Sequence, residues 1–221
     1  MDTFSYPVVR LEDLPFDYYL DLYRHIDPDE TRINLNVPFS EKGQYFLVTF
    51  FTEKYKIRYP QFSILPEGRI DPVISVYSNM YAKILLLRYL TEGTFQIMSE
   101  NMMPFRYLPW GDTYDRQFRE RCVDRLAAVY ARDPDGFCRF MDSLHALPQN
   151  DGDHSYDIEI VPGIYTRFIL WDGDDEFPAS AQILFSDNFP AAFSAEDAAY
   201  ICGIILDTFE KKTAGLPVQK G

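Results

Sequence analysis

The sequence predicts an α+β fold in which an antiparallel β-sheet, formed by a hairpin and a C-terminal three-stranded meander, packs against about five helices. Strands are predicted within 45–59 and 156–185: residues 45–51 are mostly aromatic and β-branched, and apolar residues alternate with charged ones over 55–59 and 156–160. Helical spacing of apolar residues covers 14–26, 79–92, 113–147 and 194–212. With 47% apolar and 25% charged residues among 221, the composition is typical of a globular protein.

The first half of the chain is predicted to hold two helices and a hairpin. An apolar stripe over 19–26 marks the first helix, and we expect Asp27-Pro28 to end it. The two strands of the hairpin are expected to lie on either side of a turn at Glu53-Lys54. The second helix, 79–92, is apolar on nearly all sides and is therefore expected to be central, with Gly93 as its C-cap.

The second half is predicted to hold more helices and the meander. One helix over 113–132 is followed by another that starts at Asp133-Pro134. A turn-forming sequence, LPQNDGD, then precedes strands at 156–160, 164–171 and 181–185. Ser194 and Asp197 form an aspartate variant of the capping box at the start of the last helix. We expect one domain over 1–221, with an alternative division into 1–148 and 149–221 at the turn-forming sequence.

The net charge of −13 and the cysteine content limit the classes of partner and the compartment. Nucleic acids and anionic membranes attract basic surfaces, and no basic stripe longer than two residues is present, so we expect neither as a partner. The sequence shows no signal-peptide pattern and no apolar run long enough for a transmembrane helix. Three widely separated cysteines without metal-site spacing predict reduced thiols and a cytoplasmic protein.

Acidic residues concentrate in the predicted meander. Eight carboxylates lie between Asp151 and Glu176, and Arg167 is the only arginine or lysine among them. Four of the eight fall in the segment 171–178, which we call the acidic loop; its candidate site residues are Trp171, Asp172, Asp174, Asp175, Glu176 and Phe177.

Three interpretations of the acidic loop remain open. The simplest is a solvated hairpin tip, in which Asp-Gly supplies the turn geometry and the acids face water. A second is a Mg²⁺ or Ca²⁺ site, because hard divalent cations prefer clustered carboxylate oxygens. A third is a carboxylate pair for acid–base chemistry. The aromatic side chains that flank the acids, Trp171 and Phe177, are expected to anchor the loop on the core rather than to line a pocket.

Function is therefore predicted only as two classes. The first is a binding or accessory protein whose acidic loop contacts a cation, a ligand or a basic partner. The second is an enzyme of unknown reaction that uses the loop carboxylates with Arg106 in a pocket walled by the flanking aromatics. Neither a cofactor nor an oligomeric state follows from the sequence, and no P-loop, G-x-G-x-x-G or G-x-S-x-G motif is present.

Several segments resemble a prokaryotic family known as domain of unknown function 3786. The strongest likeness is Gly-Asp-Asp-Glu-Phe-Pro at 173–178, followed by Ile-Leu-Phe at 183–185 and by Glu196-Asp197. Weaker likenesses are Lys-Ile-Leu-Leu-Leu-Arg-Tyr-Leu at 83–90 and Phe-Arg-Tyr-Leu-Pro at 105–109. The resemblance spans roughly 45–210.

The resemblance implies no reaction. The chain departs from the family pattern at Tyr107, where the family has an acidic residue, and at Ser186-Asp187, where it often has Asp directly after Phe. Some relatives are joined to domains of the iron–sulfur type, so the resemblance implies an iron–sulfur or redox protein as a possible class of protein partner.

Overall fold

Six helices and two antiparallel sheets form the fold in the computed structural model, which describes residues 16–68, 72–98 and 101–213. The strands are β1 (Phe39–Ser40), β2 (Tyr45–Phe50), β3 (Glu53–Arg58), β4 (Ile64–Pro66), β5 (Met102–Pro104), β6 (Leu147–Pro148), β7 (His154–Val161), β8 (Ile164–Trp171) and β9 (Ser180–Ser186). The helices are α1 (Phe16–Arg24), α2 (Pro28–Leu35), α3 (Met80–Glu92), α4 (Gly111–Phe118), α5 (Asp124–Arg132), α6 (Pro134–Ser143) and α7 (Ala195–Thr213). A π-helical turn, Arg119–Val123, joins α4 and α5 into one continuous helix, so the six helices count them once. The predicted α+β class is confirmed.

The predicted hairpin and the predicted meander lie in two different sheets. The first sheet has the order β1-β2-β3-β4 and the second has the order β5-β9-β8-β7-β6. The expectation of a single sheet is therefore wrong. Backbone N–H groups of Phe51 and Thr52, at the hairpin tip, donate to the carbonyls of Ile160 and Glu159 at 2.9 Å each. These bonds lie where the register of β7 with β8 is irregular, so the two sheets meet at a bulge.

The hairpin turn differs from the predicted one. Phe51 and Thr52 form it, both with positive φ (48° and 67°), and Glu53-Lys54 already belongs to β3. Positive φ at both central positions matches the right-handed twist of the strands but strains residues that have a side chain. Contacts at the tip offset that strain: Phe51 is buried, and the hydroxyl of Thr52 donates to the carbonyl of Leu144.

Helix α2 was not predicted, because Asp27-Pro28 was expected only to end the first helix. The Asp27 side chain accepts hydrogen bonds from the N–H groups of Asp29 and Glu30, and Pro28 occupies the first helical position. Both features are typical of a helix start. The predicted capping box of the last helix is confirmed, since Ser194 N–H donates to Asp197 at 2.8 Å and Asp197 N–H donates to Ser194 Oγ at 3.2 Å.

The helices cover one face of the second sheet. Phe168, Ile183 and Phe185 are buried on that face, and the Phe185 ring lies 5.9 Å from the Phe118 ring. Because side chains alternate along a strand, Arg167 and Trp171 point to the opposite face. Buried side chains on both sides of the alternative division at 148/149 belong to one core cluster, and the organisation as a single domain stays a prediction.

Each edge of the two sheets is a strand of two or three residues with a proline at one end or directly beside it. Pro38 precedes β1, and β4, β5 and β6 end in Pro66, Pro104 and Pro148. Proline has no N–H group to offer to a further strand, and short edges limit pairing with other chains.

None of the helices in the described ranges is both long and apolar enough to cross a membrane.

Candidate functional site

The acidic loop joins β8 to β9 at one end of the second sheet, directly after the pair formed by Trp171 and Ser180. Every residue from 171 to 178 is exposed. The expectation that both aromatic side chains anchor the loop is wrong for Phe177, which is 67% exposed. Trp171 is 36% exposed and lies close to Gly152, since a Cβ at Gly152 would be 3.3 Å from its ring. The loop is therefore a convex projection.

Asp172 holds the loop to the body of the protein. Its carboxylate accepts a hydrogen bond from the hydroxyl of Tyr130, a buried residue of α5, and its N–H donates to Oδ2 of Asp153 at 2.8 Å. Burial raises the pKa of Tyr130, and the hydrogen bond to Asp172 raises it further. Tyr130 is thus a neutral donor, and Asp172 is occupied by a structural contact.

Asp174 shapes the tip of the loop. Its Oδ1 accepts hydrogen bonds from the N–H groups of Phe177 (2.7 Å) and Glu176 (2.8 Å), and its own N–H donates to the carbonyl of Phe177. The backbone N–H of Phe177, and next that of Glu176, lowers the pKa of the Asp174 carboxyl below its ordinary value. This is an Asx turn, so the second loop carboxylate also serves the loop conformation.

Asp175 and Glu176 differ from the other loop acids. Both side chains are exposed, and neither forms a hydrogen bond or an ion pair with the part of the chain that the structure describes. They stand between the exposed rings of Trp171 and Phe177 in sequence. The loop therefore presents two unpaired carboxylates and two aromatic rings on a backbone that Asp172 and Asp174 hold in place.

Arg106 does not join the acidic loop. Its Nη2 lies 3.2 Å from Oδ2 of Asp115, which lies within α4, the helix that follows it. No hydrogen bond or ion pair links Arg106 to a loop carboxylate, all of which lie in the described ranges. The contact between Arg106 and the loop carboxylates that the enzyme interpretation requires is thus not formed among the described residues.

Arg167 compensates two of the eight clustered acids. Its guanidinium binds Asp157, directly opposite on β7, through Nε at 2.6 Å and Nη2 at 2.8 Å, and it binds Asp151 through Nη1 at 2.8 Å. The bidentate hydrogen bonds to Asp157 raise the pKa of Arg167 above its ordinary value. Glu159 accepts from Gly163 N–H and from Tyr165.

A divalent cation has no assembled ligand set at the loop. Over the described ranges, no group of three or more His, Cys, Asp or Glu side chains is arranged to hold a metal ion. Asp172 and Asp174 already accept hydrogen bonds, which leaves Asp175 and Glu176 as the free oxygen donors. Ca²⁺ takes six to eight oxygens, so two carboxylates on a convex tip fall well short.

The residues beneath the loop could not be found from the sequence. Tyr130, Cys138, His154 and Tyr156 come from two helices and a strand; the rings of Tyr130 and His154 lie 6.1 Å apart. Burial raises the pKa of Tyr156, and a hydrogen bond with the partly exposed thiol of Cys138 raises it further. Their separation in sequence is large, so only the packing of α5 and α6 on β7 brings them together.

A surface groove of about 410 Å³ lies elsewhere, between α5, α6 and the C-terminal turn of α7. Its lining residues are Val129, Arg132, Asp133, Phe209, Glu210 and Thr213. None of the predicted site residues contributes to this groove.

Comparison with known proteins gives one match. The family model described as "Domain of unknown function (DUF3786)" matches residues 27–208, a range that includes α2, both sheets and the acidic loop. The searches of curated proteins and of solved structures return no match.

Proposed function

Because the chain belongs to the DUF3786 family, whose description states no activity, we propose its function from the geometry of its own residues: it is a binding or accessory protein whose acidic loop contacts a basic protein partner. This proposal rests on Asp175 and Glu176, two carboxylates that form no ion pair or hydrogen bond with the described residues. Internal hydrogen bonds fix the loop that carries them.

A fixed loop favours recognition because little conformational entropy is lost when a partner binds. Tyr130 and Asp153 hold Asp172, and Asp174 closes the tip, so the backbone that carries the exposed groups is held in place without a partner. The four loop carboxylates thus have different tasks: two maintain the loop and two are available for contact.

The neighbouring aromatic rings favour lysine or arginine side chains over a bare metal ion. A guanidinium or ammonium group pairs with a carboxylate and also gains from contact with the face of an aromatic ring. Trp171 and Phe177 are exposed on either side of the free acids and supply such faces. A divalent cation such as Ca²⁺ requires six to eight oxygen ligands, and the two free carboxylates at this tip supply too few.

The proposal extends to compartment and partner class. With a net charge of −13, the protein repels nucleic acids and anionic membranes, and we place neither among its partners. Its three cysteines are free thiols, two of them buried, which supports a cytoplasmic location. The family resemblance adds an iron–sulfur or redox protein as a class of partner to test.

The enzyme alternative has less support. It needs Arg106 beside the loop carboxylates in an aromatic-walled pocket, whereas Arg106 pairs with Asp115 and the loop residues are exposed. Catalytic carboxylates depend on partial burial to shift their pKa, and a convex tip does not provide it.

The binding proposal is tested by fluorescence. The protein has two tryptophans, so Trp110→Phe leaves Trp171 in the loop as the single tryptophan, whose emission is selected by excitation at the red edge of the absorption band. We expect saturable binding of a short arginine- and serine-containing peptide to change Trp171 emission, while the glutamate counterpart has no effect. Asp175→Asn with Glu176→Gln should weaken peptide binding by about three- to tenfold, since exposed ion pairs are individually weak.

A matched control separates the loop from overall charge. Asp21→Asn with Glu41→Gln changes the net charge by the same amount at two exposed sites outside the loop. We expect this control to bind the peptide as the parent does. If the control and the loop variant lose affinity equally, the attraction is a property of the whole acidic surface and the proposal fails.

A further inference from the structure

A second exposed aromatic surface lies on the segment that follows β5. Tyr107 is 70% exposed, Trp110 is 71% exposed and Tyr114 is 37% exposed. We call these three residues the aromatic surface. Exposed large rings that lie so close in sequence are unusual on a protein whose other aromatic residues mostly fill the core, and such patches typically mark interaction sites.

The backbone under the aromatic surface is held firmly. The ring of Phe105 stacks on that of Phe118 at 4.0 Å. Gly111 lies so close to Phe105 that a Cβ there would be 2.0 Å from the Phe105 carbonyl oxygen. Trp110 itself has a φ of 67°, a left-handed conformation that a bulky residue rarely adopts. The exposed rings therefore project from a fixed support.

The charge around the aromatic surface differs from that of the whole chain. Residues 105–121 contain four arginines and three acids, a net charge of +1, whereas the chain carries −13. Arg119 is exposed and forms no ion pair with another described residue. The acidic loop has the complementary character, with a charge of −4 and the exposed ring of Phe177.

The aromatic surface and the acidic loop lie toward the same end of the second sheet. β5 runs antiparallel to β9, with Pro104 opposite Leu184. The chain that follows β5 is therefore directed toward Ser180, the first residue of β9, which comes directly after the acidic loop and Ala179. When two complementary patches lie at one end of a molecule, a two-fold axis can place each patch against the other patch of a second copy, so the same contact forms twice. Two-fold symmetry is the commonest symmetry of protein dimers.

We propose that the aromatic surface binds the acidic loop of a second copy of this chain in a two-fold symmetric dimer. Phe177 packs against Tyr107 and Trp110 of the other copy, and Asp175 and Glu176 face its Arg119. This inference rests on the proposed function, because it names the positively charged segment 105–121 of a second copy as what the loop binds. The short edge strands with their prolines disfavour association through backbone pairing and so favour contact through side chains.

Sedimentation velocity on the full chain over a range of concentrations tests the proposal. We expect a dimer that dissociates on dilution. A surface variant, Tyr107→Ser with Trp110→Ser, and a loop variant, Asp175→Asn with Glu176→Gln and Phe177→Ser, should each raise the dissociation constant about tenfold or more. Both sets of changes are on exposed side chains, and circular dichroism checks that each variant is folded.

Mixing the two variants is the decisive step. The surface variant keeps its loop and the loop variant keeps its surface, so one of the two contacts forms in the mixed pair. We expect the mixture to associate more strongly than either variant alone. No gain on mixing, or dimers that persist in both variants, would overturn the proposal. A monomeric parent protein that still binds the arginine peptide would overturn the dimer while leaving the proposed function intact.

Discussion

The buried hydroxyl of Tyr130 donates a hydrogen bond to the carboxylate of Asp172 and thereby links helix α5 to the exposed acidic loop. Tyr130 also contacts the ring of Phe137 edge-on, with 6.1 Å between centroids, so the donor is fixed by the core. The conformation of the loop thus depends on a residue more than forty positions away in sequence.

Replacing that donor is expected to loosen the loop. Tyr130→Phe keeps the ring and removes the hydroxyl, which should lower the free energy of unfolding by about 1 kcal/mol. Hydrogen exchange at the amides of Asp172 and Phe177 should become faster. Tyr23→Phe is the matched control, because it removes a buried hydroxyl that donates to the carbonyl of Arg58, far from the loop. If hydrogen exchange at the loop amides were equally fast in Tyr130→Phe and Tyr23→Phe, the role of Tyr130 in holding the loop would be contradicted.

Asp174 is expected to act through hydrogen-bond acceptance rather than through charge. Asp174→Asn keeps a side-chain oxygen for the N–H groups of Glu176 and Phe177, whereas Asp174→Ala removes it. The alanine variant should therefore lose protection of the Phe177 amide against exchange, and the asparagine variant should retain most of it.

The same contact sets a pH dependence. The pKa of Asp174 is lowered in the folded protein, so its contribution to stability is present above the ordinary carboxyl pKa and is lost as the pH falls through the lowered value. The amide resonance of Phe177 should accordingly titrate below the ordinary aspartate pKa of 3.8. A midpoint at or above that value would show that the Asx turn does not persist in solution.

The buried ion pair between α3 and α7 should be costly to break. Arg88 Nη1 lies 2.6 and 2.7 Å from the two carboxylate oxygens of Asp197, which is fully buried and also accepts from Ser194. Arg88→Met leaves that carboxylate without its cation and should lower the free energy of unfolding by about 3–5 kcal/mol at neutral pH.

The loss of stability caused by Arg88→Met should be smaller at acidic pH. Burial raises the pKa of Asp197, so the folded state binds a proton before the unfolded state does, and stability falls as the pH rises. Without the cation of Arg88, the fall in stability with rising pH becomes larger. Urea unfolding of the variant and the parent at neutral pH and at about pH 5 measures it. A deficit that is the same at both values would mean that Asp197 stays ionised in the folded variant, as it is in the unfolded chain, and would contradict the prediction.

Two glycines should respond oppositely to alanine. A Cβ at Gly111 would meet the Phe105 carbonyl oxygen at 2.0 Å, whereas a Cβ at Gly203, inside α7, meets no atom within 4 Å. Gly111→Ala should lower the free energy of unfolding by about 3 kcal/mol, and Gly203→Ala should raise it by about 0.5–1 kcal/mol because alanine favours helix. Unfolding midpoints of both variants test the pair together.

The sequence predicted elements whose signals are local. Alternation over 156–160, with short apolar segments at 164–171 and 181–185, predicted the meander. Ser194 with Asp197 predicted the start of α7, since the capping hydrogen bonds join residues three positions apart. Helix α2 carried the same kind of signal at Asp27-Pro28 and was missed because the proline was taken only as a stop.

Features that depend on distant contacts were not predictable. The positive φ at Phe51 and Thr52 is tolerated because β7 accepts hydrogen bonds from their N–H groups. The break in the apolar pattern at Glu53-Lys54 therefore pointed to the wrong residues. The division into two sheets depends on the same contact between the hairpin tip and β7. The acids of the loop could be located from the sequence. Their different roles could not, because Asp172 is distinguished from the unpaired Asp175 only by its hydrogen bond from the distant Tyr130.

The edge strands have a consequence for how recognition by this protein can be studied. Each ends at or beside a proline and is too short to template another chain. A bound partner therefore leaves both backbone ladders as they are in the free protein, and affinity and specificity are carried by individual side chains. Such an interface can be mapped one substitution at a time, because no shared main-chain network masks the loss of a single contact.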